Sequence, residues 1–300
     1  MKIASSFSAA LCLLALLGTA LPAGAQFTFI TNNGAITITG YNSAAGLNVV
    51  IPPATNGYPV TSLGFEAFYN GNLVSVMIPN SVTSIGNNAF NFCHNLTNAP
   101  LPNSITNLGR YAFSQCPSLT SVTLPNSLAT IGYGAFETCA SLATVNLPNS
   151  VTTISDDAFA YCPSLTSVTI PSSVTNLGHI VFFGCSSLAS IIFQGNAPTP
   201  GNDTTVFTGA PKAVAYYLPG TTGWLSTFDG IPTQLLSPPT LGLLNYSNRP
   251  VLIYPTSGTN FSLQMTTNLA SGPWIPVTNA TPFIGVQVTN APAAAFFRLH

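Results

Sequence analysis

Five cysteines stand 23 residues apart, at Cys93, Cys116, Cys139, Cys162 and Cys185. Thiols at such spacing would serve a metal, a set of disulfides or a packed core. A zinc site draws on close pairs of the C-x-x-C kind, and the chain has none. Equal spacing places all five in one inward column, near enough to a neighbour to bridge in principle. Parallel side chains in a ladder nevertheless have poor disulfide geometry, and five is an odd number. The expectation is therefore a column of buried free thiols. Asp156 and Asp157 form the only acidic pair, and other coils carry Asn87 and Asn88, Arg110 and Tyr111, Tyr133 and Gly134, or His179 and Ile180 at the same positions. Variable positions of this kind read as exposed. A cation there would need further oxygen ligands, and glycoside hydrolysis a second carboxylate across a cleft. His94 and His179 fall in different columns of the repeat. No G-x-S-x-G elbow, H-E-x-x-H helix, Walker loop or dinucleotide glycine motif occurs, so no catalytic residue, no cofactor site and no metal site is assigned.

Charge narrows the partners. Only 4% of the 300 residues are charged, and the formal net charge is −1. Nucleic-acid binding needs clustered Lys and Arg, as does binding to anionic lipid, and neither cluster exists. Low charge with plentiful Val, Ile, Leu and Phe excludes a disordered chain. Ser, Thr and Asn supply the polarity instead, a balance that suits an extracellular β-rich protein.

The cysteines are one column of a whole-coil repeat. Phe90, Phe113, Phe136, Phe159 and Phe182 keep the same interval of 23, as do Leu96, Leu119, Leu142, Leu165 and Leu188. One coil reads LTSVTLPNSLATIGYGAFETCAS, residues 119–141. In Leu119-x-x-Val122-x-Leu124 alternating side chains point inward from a short strand. Pro125 ends that strand because it cannot donate to a ladder, and Asn126 and Ser127 supply turn chemistry. Leu128 and Ile131 return to the core. Gly132 is expected to adopt a backbone conformation closed to bulkier residues. Ala135 leaves room for Phe136 to pack inward, and Cys139 closes the coil as a small hydrophobe. A single coil cannot bury its apolar side, so the core arises only by stacking. The fold class expected is mainly β with irregular or short helical turns: a solenoid of 23-residue coils followed by a small C-terminal β module.

Chemical diversity gathers on one edge of this repeat. Between residues 60 and 193 every formally charged side chain lies beside the Ala-Phe pair: Glu66, Arg110, Glu137, Asp156 and Asp157. The strand column is monotonous by comparison, with Ser75, Asn98, Ser121, Thr144, Ser167 and Ser190. Diversity on one edge means either recognition or relaxed constraint on an exposed loop. The candidate ligand face comprises Arg110, Tyr111, Tyr133, Glu137, Asp156, Asp157, Tyr161 and His179.

The runs LPNSxxxIGxxAFxxC, at residues 124–139 and, with Ser155 in place of the glycine, 147–162, resemble the BspA-type (Treponema-type) leucine-rich repeat of bacterial surface and secreted proteins. The resemblance extends over about residues 27–236, since 27–59 look like that family's N-terminal cap and YYLPGTTGWLSTF, 216–228, like its closing segment. It implies a leucine-rich-repeat solenoid and an association with adhesion and binding, with diverse ligands.

The organisation follows. Lys2, an apolar run at 11–17 and the small residues Ala23, Gly24 and Ala25 read as an export signal over residues 1–25, cleaved after Ala25. An N-terminal cap is expected at 26–59, six coils at 60–193, a degenerate last coil with the C-terminal cap at 194–236, and a linker at 237–244. A β-rich module should fill 245–300, with strands near 261–265, 274–277, 284–288 and 295–299. No segment of the mature chain is long and apolar enough to span a membrane. The functional expectation is a secreted or cell-surface protein that binds a polysaccharide or an extracellular protein without catalysis. The alternatives are a structural spacer in an envelope or matrix, and an enzyme carried by the C-terminal module.

Overall fold

The computed structural model describes residues 26–199 and 203–236, and beyond them the backbone of six short strands between 242 and 299. The chain divides into two compact units, Met1–Leu236 and Ser237–His300. The expected export signal lies outside the described residues.

In the first unit the chain winds into a β-solenoid, and each full coil has three sides. The first side is a parallel ladder built from strands such as Ser121–Thr123 and Thr144–Asn146, or Ser167–Ile170 and Ser190–Phe193, paired in register 23 residues apart. Val122 and Leu124 point inward while Ser121 and Thr123 face out, as alternation requires. In the coil where Pro100 occupies the third strand position, the rung shrinks to a single bridge between Ser75 and Asn98, because proline has no N–H to give.

The second side is a further parallel ladder that the periodic pattern marked only as a return to the core. Two-residue strands, Ser84–Ile85, Asn107–Leu108, Thr130–Ile131, Thr153–Ile154 and Asn176–Leu177, stack with one inward Ile or Leu and one outward polar residue each. The turn between these two sides is held by the serine two residues after the proline, in Pro-Asn-Ser or, at 171–173, Pro-Ser-Ser. Ser104, Ser150 and Ser173 donate to Val82, Leu128 and Val151 carbonyls of the preceding coil at 2.6, 2.7 and 2.6 Å.

The third side carries the Ala-Phe pair and is also bonded coil to coil. The amides of Phe90, Phe113 and Phe136 donate to the carbonyls of Ala112, Ala135 and Ala158 at 2.8, 2.8 and 2.9 Å. Two left-handed residues flank each phenylalanine: Tyr111, Gly134 and Asp157 before it, at φ 55°, 57° and 59°, and Gln115, Thr138 and Tyr161 after it, at 56°, 56° and 57°. That conformation aims their N–H groups at the next coil, as in Tyr111 to Tyr133 carbonyl at 2.8 Å and Thr138 to Ala160 carbonyl at 2.8 Å. These inter-coil bonds offset the cost of a positive φ at residues other than glycine.

The core is one continuous apolar cluster running the length of the solenoid. Its axis is a stack of phenylalanine rings: Phe68, Phe90, Phe113, Phe136, Phe159, Phe182 and Phe207 lie with successive centroids 4.8 to 5.7 Å apart and planes within 13°. At the N-terminal end the hairpin of Phe27–Asn32 and Ala35–Tyr41 closes the stack, Tyr41 lying 5.5 Å from Phe68. At the other end Phe228 caps Phe207 at 6.5 Å.

Among its described residues, the second unit has two antiparallel three-stranded sheets. Arg249–Ile253 lies between Gly242–Tyr246 and Val286–Gln287, and Leu263–Thr266 between Ile275–Pro276 and Phe296–Leu299. The segment read as a linker, 237–244, therefore ends inside a strand: its last three residues pair with residues 251–253.

Candidate functional site

Each coil turns a sharp corner after the second ladder, and a glycine occupies that corner in most coils. The reason is close approach rather than an unusual dihedral: neither Gly109 nor Gly132 has a positive φ. A Cβ on Gly109 would stand 2.5 Å from the Asn87 amide nitrogen, and one on Gly132 would stand 2.8 Å from the Leu108 carbonyl oxygen. Gly132 thus serves close approach and does not hold the backbone conformation closed to bulkier residues that its type suggested. Backbone of one coil sits directly on backbone of the last, and only the missing side chain permits it.

The residue that follows each corner projects outward, and these residues form a row. Arg110, Tyr133, Asp156 and His179 succeed one another along it, over a shallow groove of about 600 Å³. Thr153 and Asn176 of the second ladder and Ser155 of the corner complete the polar lining. Those three escaped the sequence reading because they belong to repetitive columns and are unremarkable in type; only the path of the coil brings them beside the variable row.

The row is internally fixed. The guanidinium of Arg110 lies over the Tyr133 ring, 5.1 Å from its centroid. The Tyr133 ring in turn meets Tyr111 edge-on at 5.2 Å. The Asp157 carboxylate first, and Tyr111 after it, act on the Tyr133 hydroxyl and push the phenol well above its ordinary range. Asp156 accepts the backbone N–H of His179 through Oδ1 at 2.9 Å, as Asn87 does for Arg110 at 2.9 Å. The His179 Nδ1 lies 2.5 Å from Asp203 Oδ2. Burial alone would raise the Asp203 carboxyl, but bonds from Thr205 and His179 outweigh it and hold the group below its usual value.

Four candidate residues lie off the groove. Asp157 is 8% exposed, so the acidic pair is not an exposed pair: Asp156 faces the groove and Asp157 turns in beneath Tyr133. The left-handed φ at Asp157 rotates the second aspartate away from the first. Tyr111 stands beside Tyr133 as its edge-on support. Glu137 is half-buried and takes a bond from Ser114 at 3.3 Å; burial raises its carboxyl despite that bond. Tyr161 is exposed, packed edge-on against Phe183 at 5.2 Å.

The five cysteines are buried free thiols. All five, Cys93, Cys116, Cys139, Cys162 and Cys185, donate in turn to the carbonyls of Phe68, Phe90, Phe113, Phe136 and Phe159, in the preceding coil, at 3.1 to 3.2 Å. Burial pushes the Cys139 and Cys185 thiols up to about 12, which removes the thiolate that nucleophilic or ligand chemistry would need. In the groove, a carboxylate-oriented imidazole is one part of a nucleophile–base arrangement. Among the described residues no hydroxyl is bonded to the His179 ring, and no group of three His, Cys, Asp or Glu is placed to hold a metal. What the groove offers is a positioned guanidinium, an aromatic ring, a carboxylate, an imidazole and short polar side chains: a surface for hydrogen bonding and stacking.

A stacked solenoid of 23-residue coils is the architecture of a leucine-rich-repeat protein. Residues 61–199 match the BspA type leucine rich repeat region in six copies, and the repeat region of the chain belongs to that family. Among solved structures, a leucine rich repeat protein of T. pallidum is 26% identical, the match covering 71% of this chain and 91% of that one with a TM-score of 0.47. A leucine rich cell surface protein of Faecalibacterium prausnitzii is 28% identical over 65% of this chain and 70% of that one, also at a TM-score of 0.47. A leucine-rich repeat protein of Bacteroides ovatus is 25% identical, with coverages of 67% and 71% and a TM-score of 0.35. No curated protein matches the chain.

Proposed function

We propose that the chain is an exported, surface-associated binding protein that engages an extracellular polysaccharide through the corner row, without catalysis. One observation carries this reading: the unlike side chains of one column, Arg110, Tyr133, Asp156 and His179, line one groove, while both ladders present mostly uncharged Ser, Thr and Asn in coil after coil. The lining suits a polyhydroxylated ligand. Thr153, Ser155, Asn176 and Asp156 offer hydrogen-bonding groups, and Ile154 and Leu177 are wholly buried, so no apolar pocket is open to a peptide side chain. Export is supported by the leader pattern in residues 1–25, and surface association by the printed description of the Faecalibacterium relative.

The test is a panel of immobilised polysaccharides probed with the full chain and with two kinds of variant. Tyr133→Ala and Arg110→Ala should weaken binding at least about tenfold, a loss of about 1.4 kcal/mol. Ser121→Ala and Ser167→Ala, on the outer face of the first ladder, should leave it unchanged. Equal losses from both kinds would move the ligand off the corner, and no binding to any member of the panel would end the polysaccharide reading.

A further inference from the structure

On the third side of the solenoid, coil after coil commits the same two N–H groups to the coil that follows. From Phe68 to Phe182 each stacked phenylalanine donates to the carbonyl of the residue before the next one, as Phe182 does to Val206 at 3.0 Å. The N–H two residues further on donates to the residue after it, as Gly184 does to Thr208 at 2.7 Å. In the last coil the corresponding donors are Phe207 and Gly209, and among the described residues neither has an acceptor. The Thr205 N–H, which opens the same row, is answered within its own coil by Asp203 Oδ1 at 2.9 Å. The ladder is therefore closed at one position and open at the next two. Gly209 keeps a φ of 83°, in the left-handed region that turns the matching N–H groups of Thr138 and Tyr161 toward the following coil. Beside the open donors lies a groove of about 640 Å³, lined by Phe207, Thr208 and Gly209 of the ladder end and by Asp229, Ile231 and Pro232 of the closing segment. It shares no residue with the corner groove.

We propose that this groove takes an extended peptide of another protein, laid along the Phe207–Gly209 segment as one further rung. Its carbonyls at residues i and i+2 accept the Phe207 and Gly209 N–H groups, and its side chains at i and i+1 are small. Unpaired N–H groups at the end of a ladder are a template for an added strand, in which main-chain bonds give affinity and the flanking space gives specificity. The six earlier rungs set the chemistry. The residues that answer the phenylalanine N–H groups are Ala89, Ala112, Ala135, Ala158, Val181 and Val206, all wholly buried, so position i is small. At i+1 each earlier rung carries the next phenylalanine of the stack. Beyond Phe207 that place is held by Phe228, 6.5 Å away and tilted by 58°, so a large side chain at i+1 has nowhere to go. At i+2 the earlier rungs carry Asn91, Ser114, Glu137, Ala160, Phe183 and Thr208, so that position is tolerant. A residue of strand fills roughly 160 Å³ at a rise of about 3.3 Å, a spacing of about 4.8 Å and a thickness of about 10 Å, which gives the groove room for about four. The site is independent of the polysaccharide reading.

The experiment follows amide hydrogen exchange of the full chain by NMR, alone and with end-capped hexapeptides. In the free protein the Phe207 and Gly209 amides should exchange about tenfold or more faster than those of Phe182 and Gly184, which are bonded to the next coil. A hexapeptide of alternating Ala and Ser should bind saturably and slow the two amides by about tenfold or more. The same peptide with Phe in place of Ala should bind at least about tenfold more weakly, because neither i nor i+1 can house the ring. Thr208→Trp, which fills the groove, should abolish binding of the Ala–Ser peptide while circular dichroism stays that of the wild type. Tyr133→Ala, in the corner row, should leave peptide binding unchanged, so failure here and failure of the polysaccharide reading are told apart. Slow exchange of both amides in free monomeric protein would mean that the chain closes its own ladder. Protection that grows with protein concentration would make the occupant a second copy, and binding that leaves both amides unprotected would put the peptide elsewhere. Each of these results overturns the proposal, as does silence with the Ala–Ser peptide.

Discussion

Asp229 shows what a single side chain near the C-terminal cap costs and secures. Its residue is 3% exposed, its Oδ1 accepts the Asp203 N–H at 2.8 Å, and its Oδ2 is buried without a partner. Burial first, and the neighbouring Asp203 carboxylate in addition, raise its pKa to about 6 against an ordinary 3.8. The folded state then binds more protons than the unfolded state between about pH 4 and 6, so stability falls as pH rises through that window and is level above it. The full loss is about 3 kcal/mol, from a shift of about two units. Asp203, bonded by Thr205 and His179, is shifted the other way, and its contribution is lost in acid, at and below its ordinary value. Asp229→Asn keeps the Oδ1 acceptor and removes the charge. Denaturant unfolding should find the variant more stable than wild type by up to about 3 kcal/mol near neutral pH, converging with it below about pH 4. A pH-independent difference would mean that the carboxylate is already neutral or solvated in the folded cap.

At the scale of the element, the corner glycines decide how closely coils can stack. Glycine is unfavourable in most regular structure, and alanine at a compatible site is usually stabilising. At Gly109 that rule should reverse. The new Cβ would meet the Asn87 nitrogen and the Gly86 carbonyl carbon at 2.5 Å, both backbone atoms fixed in the preceding coil. Gly109→Ala should therefore destabilise by about 1–3 kcal/mol, the range for overpacking a filled site, and chemical denaturation would show it as a lower midpoint. A neutral or stabilised variant would mean that the corner can open without cost. The same geometry shapes the groove, because a corner without a side chain leaves the next residue in the row standing clear above it.

Over the whole solenoid, cohesion is local to adjoining coils. Each phenylalanine ring stacks on the one before and the one after, as Phe113 and Phe136 do at 5.6 Å with planes 4° apart, and each coil bonds only to its neighbours along all three sides. Stability should therefore behave as a sum of coil terms and nearest-neighbour terms. Phe113→Leu and Phe136→Leu, combined, should depart from additivity by about 0.5–3 kcal/mol. Phe90→Leu and Phe182→Leu, which share no contact, should add to within about 0.5 kcal/mol. Coupling of equal size in both pairs, measured by equilibrium unfolding, would point to a core that responds as one body rather than coil by coil.

Much of this was legible in the amino-acid order because a repeat converts local rules into global ones. Apolar residues recurring every 23 positions must share a column, so the sequence alone puts Phe90 to Phe182 and the thiols beside them inside, and the strand at Ser121–Thr123 follows from alternation around Val122. The second ladder was less visible, since two residues such as Thr130–Ile131 are too few to show a period. What the sequence could not determine is how neighbours within a turn diverge. Asp156 and Asp157 are identical and adjacent, yet a left-handed dihedral at the second sends one to the groove and the other beneath Tyr133. Gly132 announced that a side chain was forbidden, but the obstacle is the Leu108 carbonyl of another coil, 24 residues away in sequence. The groove itself joins Thr153 and Asn176 to Arg110 and His179 across a corner whose sharpness depends on that contact. Periodicity fixes which residues share a column; the angle between columns is set by backbone packing between coils, and only the folded chain contains it.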